Sequence, residues 1–437
     1  MKRDLHGLAA TCDGAEDLAA IDDFARRMVG LAKGTEVIVP AAARFQDTPL
    51  VQLYAAAAFL FAQTAEADGI AARYLARADA IAPRANPREE RWRAALWAWQ
   101  RHAFSEAVVE LEALTAEWPG DLAAAKVCEF LYYVLGQQHE ATRFLRHMER
   151  LAPHHADDPD FLAMLAFARE LTGDFDGACT IAERALALRP QNPWADHALA
   201  HVWTRRGEVD RAIAHLTAAL PVWRTMSSII RSHDAWHLAL LHVERLDLDA
   251  AAELLDAQIA CEDCREVGFA VDAIALLWRM EMAGWDGAAR WDAIADRIEP
   301  YLGACFMPFL SAHWAYALGR AGRDGALDGL VASVAARASG ADGDALRAWA
   351  RAGKALVEAS GAFGRGDVRE CAVLLAPIAD ELTVGGGSDA QCDLFRLTNV
   401  CALAASGRRA EARRALDRTL GAKARTPLDR RFEALTA

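Results

Sequence analysis

The feature that most constrains the fold is a helical repeat in the middle of the chain. Five short segments each read as one helix end, a turn and the start of the next helix: WQRHAFSEAVVEL, LGQQHEATRFL, LTGDFDGACTIA, RRGEVDRAIAHL and ERLDLDAAAELL. The small residue that opens the second helix recurs at steps of 34, 37, 34 and 39 residues, at Ala107, Ala141, Ala178, Ala212 and Ala251. A unit this short cannot bury its apolar face alone, so neighbouring units must stack.

The spacing is typical of tetratricopeptide repeats, in which a small residue lies where two helices cross and a proline ends the unit. We expect prolines to close units at Pro119, Pro153, Pro190 and Pro221. The predicted fold class is all-α, a right-handed α-solenoid of tetratricopeptide-like hairpins whose first helices line a concave face. No segment has the alternation of a strand. We predict a degenerate helical cap in residues 1–90, regular repeats in 91–260, and irregular repeats with a C-terminal cap in 261–437.

Charge and composition argue against several functional classes, namely nucleic-acid-binding, membrane and secreted proteins. The chain has 437 residues and a net charge of −13, so we do not expect strong nucleic-acid binding, which requires a basic face to neutralise phosphates. No apolar run is long enough to cross a membrane, and the first residues, MKRDLHGLAATCDGAEDLAAIDD, lack the apolar core of a signal peptide. Nine scattered cysteines favour a reducing compartment. We therefore expect a cytoplasmic protein that binds neither nucleic acid nor membrane.

Polar residues recur on the first helices of consecutive hairpins. NPWADHALAH and SHDAWHLALLH each carry two histidines four residues apart, a spacing that places both on one helix face. The next two first helices contribute an aspartate and another histidine. Because neighbouring first helices lie side by side, we expect these residues to share one groove. The candidate metal ligands are His197, His201, His233, His237, Asp272 and His313.

Two kinds of chemistry suit these residue types. Converging imidazole and carboxylate groups can hold a divalent metal, and a metal-bound water would support hydrolysis. Without a metal, His201 or His237 could act as a general base, because imidazole titrates near neutral pH. Arg231 is a candidate to bind a substrate carboxylate. Trp236 and Trp278 are candidates to wall the pocket. No motif identifies a cofactor.

The residues leave three functions open. The first is small-molecule binding in the concave groove, with acid–base or metal-assisted catalysis of hydrolysis or elimination. The second is a peptide-binding adaptor without catalysis, the commonest use of tetratricopeptide arrays. The third is a structural scaffold. In the last two, the histidines are interior residues whose ring nitrogens are hydrogen-bonded to neighbours. A homodimer is also open.

Several segments resemble the tetratricopeptide repeat protein 38 family: PWADHALAHV, HDAWHLALLHVE, DAIALLWRMEMAG, AFGRGDV and GGSDAQCDLF. The resemblance keeps its order over nearly the whole chain, from DLHGL to the C-terminal hairpin. It implies an intracellular α-solenoid, and it implies that the six candidate ligands named above are positions which the family characteristically fills in this way. It implies no settled biochemical activity.

The sequence departs from that family's pattern at several positions. Asp389 stands where the family has a histidine in a GGSHAQRD-like segment, and Cys392 stands where it has an arginine. Glu129 and Trp92 occupy two further positions that resemble family histidines. Carboxylates can still bind a metal or move a proton, whereas tryptophan cannot. We therefore add Glu129 and Asp389 to the candidate substrate-binding residues, in a pocket of altered chemistry.

Two other motifs have structural interpretations that require no bound ligand. CEDC at 261–264 is a single C-x-x-C pair, without the second pair that a structural zinc site requires, so we interpret it as part of a helix with two cysteines three residues apart. VGGGSDAQ at 384–391 could wrap an anion with backbone N–H groups at a helix start. The preferred interpretation is a turn between helices with Ser388 or Asp389 as the N-cap.

Overall fold

The computed structural model describes residues 2–260 and 266–437. Apart from one short N-terminal hairpin, the elements of the described residues are helical, which confirms the predicted all-α solenoid class. The chain divides into two compact units. The first unit comprises Met1–Tyr133, Glu140–Ala198 and Val222–Ser227. The second unit comprises Val134–His139, Leu199–Pro221 and Ser228–Ala437.

The helices of the N-terminal half follow one another with short turns between them. They are α1 Ala15–Val29, α2 Ile38–Arg44, α3 Pro49–Leu60, α4 Ala65–Ala80, α5 Pro87–Gln100, α6 Phe104–Glu117, α7 Leu122–Leu135, α8 Gln137–Leu151, α9 Pro159–Leu171, α10 Phe175–Leu188, α11 Pro193–Arg206 and α12 Val209–Trp223. Within the first unit, α3 packs on α4, α5 on α6 and α9 on α10. Sequence neighbours therefore form hairpins, as the repeat predicted.

The helices of the C-terminal half carry most of the second unit. They are α13 Ser228–Glu244, α14 Leu248–Leu254, α15 Val267–Met282, α16 Trp291–Ile298, α17 Pro308–Arg320, α18 Asp324–Ser339, α19 Gly343–Ala345, α20 Lys354–Gly364, α21 Val368–Leu375, α22 Asp389–Ala405, α23 Arg409–Leu420 and α24 Pro427–Leu435. Helix α13 packs on α15, and α15 also packs on α17 and α22. Helix α15 therefore touches three of the helices that carry candidate residues.

The alanines that define the repeat lie in the interior of the hairpins. Ala107, Ala178, Ala212 and Ala251 are fully buried, and Ala141 is almost fully buried. Protein interiors are close-packed, so a larger side chain at such a position would push the two helices apart. This packing explains why the repeat in the sequence and the helical hairpins share one period.

The N-terminus differs from the expectation of a chain without strands, which is wrong at this point. Lys2–Arg3 pairs antiparallel with Ala9–Ala10. Between them, the Asp4 carboxylate accepts hydrogen bonds from the backbone N–H groups of His6 and Leu8. Strands of two residues are too short to leave an alternating pattern, so hydrophobic periodicity could not have predicted this hairpin.

One predicted helix end is also wrong. Pro221 lies inside α12, whereas Pro119 follows α6 and Pro190 follows α10. Helix α12 continues past the proline to Trp223, which is fully buried and donates its indole N–H to Asp196 at 3.2 Å. Burial of this large side chain offsets the backbone hydrogen bond that a proline removes.

The division at residues 90 and 260 stays a prediction. So does the interpretation of CEDC at 261–264, because those residues lie outside the described ranges. Among the described residues, every helix is too short or too polar to cross a membrane.

Candidate functional site

A buried carboxylate begins α22. Gly386 and Gly387 precede it with φ of 98° and 88°, left-handed values that favour glycine. Ser388 is the N-cap, because its hydroxyl accepts from the Gln391 N–H and the Gln391 side chain accepts from the Ser388 N–H. The cap predicted at this turn is confirmed and falls on Ser388. Asp389 therefore does not cap the helix and reaches α11 instead.

Asp389 connects His201 with Arg205, which lie four residues apart on α11. His201 Nδ1 lies 3.0 Å from Oδ1 of Asp389, and Arg205 Nε donates to Oδ2 at 2.6 Å. The side chains of His201 and Asp389 are 0% and 5% exposed. Burial by itself would raise the pKa of Asp389, but Arg205 and then His201 outweigh it and hold the pKa well below its usual value. The carboxylate is therefore ionised inside the protein.

Two histidines of α13 extend this cluster. The ring centroid of His237 lies 4.7 Å from that of His201 and 4.9 Å from that of His233. His233 Nδ1 lies 3.2 Å from Asp272 on α15. Burial lowers the pKa of His237 well below its usual value, and the neighbouring His201 and His233 lower it further. His237 is therefore a neutral imidazole at neutral pH. We call His201, His233, His237, Asp272 and Asp389 the histidine cluster.

A buried arginine of α15 lies against the histidine cluster. The Arg279 guanidinium carbon is 5.3 Å from the Trp236 ring centroid, and Trp236 stacks on His233 with their centroids 5.3 Å apart. Arg279 donates to the backbone carbonyl groups of Ala275 and Ala390 at 3.2 and 2.6 Å. Burial lowers the pKa of Arg279 to about 10, so the guanidinium is still protonated at neutral pH.

His313 and Trp278, predicted as a ligand and a pocket wall, lie among aromatic side chains. His313 Nδ1–H donates to the Phe309 carbonyl at 2.7 Å, and its ring centroid is 5.5 Å from that of Phe395. The Trp278 ring lies 6.2 Å from His313 and stacks on Tyr316 at 3.7 Å. Burial lowers the pKa of His313 to about 3. Interior packing suits both residues, and their predicted roles stay predictions.

The other candidates have different surroundings. Arg231 is half-buried, and its Nε has no hydrogen-bond partner among the described residues. Glu129 belongs to the first unit, where it accepts from Lys126 Nζ at 2.6 Å and from Trp194 Nε1 at 2.9 Å. His197 also belongs to the first unit and stacks on Trp194, with ring centroids 4.2 Å apart. Both therefore belong to a different compact unit from the histidine cluster.

A polar cleft of about 320 Å³ opens beside Arg205 in the second unit. Asp393 lies in its wall and accepts from Nη1 of Arg205 and Nη1 of Arg396, each at 2.7 Å. Asn399 also lines the cleft, and its buried Oδ1 has no hydrogen-bond partner in the described part of the chain. Arg205 thus contacts both the buried Asp389 and a cleft of a size that accepts small molecules.

Sequence reasoning missed three residues of this region: Arg205, Arg279 and Asp393. A signal existed for the two arginines. Arg205 follows His201 by four residues and Arg279 follows Asp272 by seven, so each lies on the helix face of a candidate residue. Exposed arginines commonly have the same spacing, and only burial in the folded chain separates these two from them.

A family model described as a tetratricopeptide repeat matches residues 171–222. The matched segment contains α10, α11 and nearly all of α12, and so it includes the helix that carries His201 and Arg205. The chain therefore contains a tetratricopeptide-type repeat, as its sequence period predicted.

Two solved structures are similar to the chain over most of its length. One is a Rap protein complexed with competence and sporulation factor, at 10% identity, covering 89% of this chain and 99% of that chain, with a TM-score of 0.38. The other is a monomeric mutant of IFIT1 with Gppp-AAAA, at 12% identity, covering 95% of this chain and 99% of that chain, with a TM-score of 0.44. At scores this low, neither likeness carries an argument about this chain.

Proposed function

We propose that the second unit binds a small molecule at the histidine cluster and that His201 acts on it as a general base. The observation that carries this proposal is the contact of 3.0 Å between buried His201 Nδ1 and the ionised Asp389, whose other oxygen is held by Arg205. Buried carboxylates are costly unless they are paired, so a buried imidazole–carboxylate pair held by the partly exposed guanidinium of Arg205 suits chemistry better than it suits packing.

Asp389 determines the tautomer of His201 under this proposal. An ionised carboxylate opposite Nδ1 favours the imidazole whose proton is on Nδ1, and the lone pair of Nε2 is then the basic site. Such a base can remove a proton from water for hydrolysis or from a carbon acid for elimination. Arg205 acts as a positioning residue, because it fixes the carboxylate that orients the imidazole.

His237 contributes a second, neutral imidazole beside His201. Its depressed pKa keeps it neutral at neutral pH, so it adds no positive charge of its own when His201 takes up a proton. Two adjacent imidazoles of which one is always neutral avoid the repulsion that two cations would suffer. His237 is therefore the proposed neutral neighbour that leaves His201 free to take up the proton.

Turnover assays of matched variants test the proposal. The probes are p-nitrophenyl acetate for hydrolysis and a β-substituted amino acid for elimination. His201→Gln and Asp389→Asn should each lower turnover by about 10²–10⁴-fold, the usual contribution of general acid–base catalysis. His242→Gln is the matched control, because His242 on α13 also has an aspartate, Asp247, 3.2 Å away, but at the surface.

One result would remove the catalytic role. If neither probe is turned over faster by the native chain than by His201→Gln, with both folded by circular dichroism, His201 is not a general base for hydrolysis or elimination. A loss of turnover in His242→Gln as well would assign the effect to general destabilisation.

A metal-assisted version of this function stays a proposal beside the metal-free one. His201 Nε2 and the ring of His237 would hold the ion in the second unit, with Asp389 orienting His201 as carboxylates commonly orient metal-binding imidazoles. His233 Nδ1 and His313 Nδ1 already contact Asp272 and the Phe309 carbonyl, so these two histidines would have to bind through Nε2.

The alternative function is a peptide-binding adaptor without catalysis. The tetratricopeptide-type repeat at residues 171–222 favours it, because such repeats provide extended binding surfaces. Membership of the tetratricopeptide repeat protein 38 family, a cytoplasmic location and a homodimer are further proposals. The family proposal is supported by the five segments that resemble it.

A further inference from the structure

We propose that Arg279 is an anion-binding residue and that the ligand of the histidine cluster carries a carboxylate. This inference rests on the proposed function, because it names the class of ligand that the same site takes. It starts from a buried positive charge that no acidic side chain neutralises at contact distance.

Arg279 is a buried cation without a direct counter-ion. The residue is 6% exposed, and its hydrogen bonds among the described residues go to backbone carbonyl groups and not to aspartate or glutamate. Acidic groups such as Asp393, Glu244 and Asp272 act on it only through longer-range electrostatic attraction. Removing a charge from water costs several kcal/mol unless a partner compensates it. A bound carboxylate would supply that partner.

The guanidinium also has N–H groups to spare. It donates to the carbonyl groups of Ala275, Ala390 and Gln391, the last at 3.4 Å. An arginine carries five N–H donors in a planar fork, so two remain. These are the Nε–H and one Nη1–H, which lie on different edges of the guanidinium, so each can donate a single charge-assisted hydrogen bond to a carboxylate oxygen. The carbonyl contacts hold the fork in place and would limit the entropy lost on binding.

The position of Arg279 places such an anion at the histidine cluster. Its guanidinium lies over Trp236, whose ring is 4.9 Å from that of His237. Its carbonyl partner Ala390 directly follows Asp389 in the chain. The carboxylates of the histidine cluster already have partners, since Asp389 contacts Arg205 and His201, and Asp272 contacts His233.

Trp236, whose ring lies next to the Arg279 guanidinium, carries one further donor. The indole Nε1–H of Trp236 is buried and has no hydrogen-bond partner in the described part of the chain. An indole can only donate, so it needs an acceptor, and a carboxylate oxygen is one. Arg279 and Trp236 together offer a cation and a neutral donor beside a base.

A thermal-shift titration tests the inference with acetate and succinate as carboxylate probes. Inorganic phosphate and chloride at equal ionic strength separate carboxylate binding from binding of any anion and from general salt effects. The melting temperature of the native chain should rise in a saturable manner with acetate or succinate and should not do so with chloride. Arg279→Met, which keeps the side-chain length without charge, should lose the saturable rise.

Two further variants keep this test decisive. If Arg279→Met does not fold, Arg279→Lys takes its place in the test. Lysine keeps the charge but lacks the planar fork of N–H donors, so the midpoint concentration of the carboxylate response should rise at least tenfold. Arg320→Met is the control, because Arg320 already pairs with Glu281 through Nε at 3.0 Å and Nη2 at 2.8 Å. The inference is overturned if the native chain shows no saturable carboxylate response, if phosphate gives the stronger one, or if both Arg279 variants respond like the native chain.

Failure of this inference and failure of the proposed function give different results. His201→Gln should keep the carboxylate response and lose turnover. If turnover depends on His201 but no carboxylate response is seen, the role of His201 as general base is supported and the anion site at Arg279 is refuted. If the Arg279 variants lose the carboxylate response while His201→Gln leaves turnover unchanged, the anion site is supported and the role of His201 as general base is refuted.

Discussion

His313 lies in the interior of the second unit, and its burial makes a quantitative prediction about stability at mildly acidic pH. The side chain is fully buried between aromatic rings and donates Nδ1–H to the Phe309 carbonyl. Burial lowers its pKa to about 3, although the hydrogen bond to the carbonyl opposes the shift. The imidazole therefore stays neutral in the folded chain, whereas in the unfolded chain it binds a proton below about pH 6.5.

The sign and size of the expected change in stability with pH follow from proton linkage. Below pH 6.5 the unfolded state binds more protons than the folded state, so this residue's contribution to stability is present above that pH and is lost as the pH falls toward 3. Between pH 7.5 and pH 5.5 the loss amounts to about 1.4 kcal/mol, because the free energy changes by about 1.36 kcal/mol per pH unit once the unfolded imidazole is protonated.

The perturbation is His313→Leu, which removes the titrating group and keeps an apolar side chain. Urea unfolding followed by tryptophan fluorescence at pH 7.5 and pH 5.5 gives the pH dependence for each chain. The native chain should lose about 1.4 kcal/mol more than His313→Leu between the two pH values. Other buried histidines, such as His237 and His147, cancel in this difference because both chains contain them.

Leu330→Ala is the control, because Leu330 is buried in α18 and does not titrate. It should lower stability by about 2–5 kcal/mol at both pH values and leave the pH dependence unchanged. The comparison is the stability lost between pH 7.5 and pH 5.5 by the native chain minus that lost by His313→Leu. A difference below about 0.4 kcal/mol, or one of opposite sign, would refute the reasoning that burial keeps His313 neutral.

Two further predictions concern the turn before α22 and the role of metal. Gly387→Ala should destabilise the chain by about 1 kcal/mol or more beyond Gly366→Ala in urea unfolding, because both glycines have left-handed φ but only a Cβ at Gly387 would lie 2.8 Å from the Phe309 ring. Equal losses in the two variants would contradict this clash. If the metal-free mechanism holds, dialysis against EDTA should leave His201-dependent turnover unchanged. A loss restored by zinc would instead support the metal-assisted version, and mass spectrometry of the metal content should then find about one equivalent that His201→Ala lacks.

The sequence was informative wherever a feature depends on neighbours along one helix or one hairpin. The repeat of alanines predicted the helical hairpins, and those alanines are buried in the structure. Histidines four residues apart share a helix face, and the glycine-rich turn before α22 has the serine cap that its composition suggested. These features are local, so helix geometry and capping chemistry fix them without knowledge of the rest of the chain.

Sequence reasoning was weaker where no periodic signal exists. The N-terminal strands span only two residues each, and Pro221 is tolerated inside α12 although prolines usually end helices. The two arginines of the site, Arg205 and Arg279, resemble any surface arginine in sequence. Their burial follows from how the helices pack, and no local pattern encodes it.

Only the tertiary structure determined which charged side chains contact one another. Arg205 and Asp389 are 184 residues apart, and their hydrogen bond exists because α22 returns to lie against α11 within the second unit. The same packing leaves Arg279 without an acidic partner at contact distance. The sequence alone determined the helices, their hairpin pairing and the faces on which the histidines lie, because those depend on the 3.6-residue period of a helix. Partnership, burial and pKa depend on distances between helices, and these are set only when the apolar faces of the hairpins pack together.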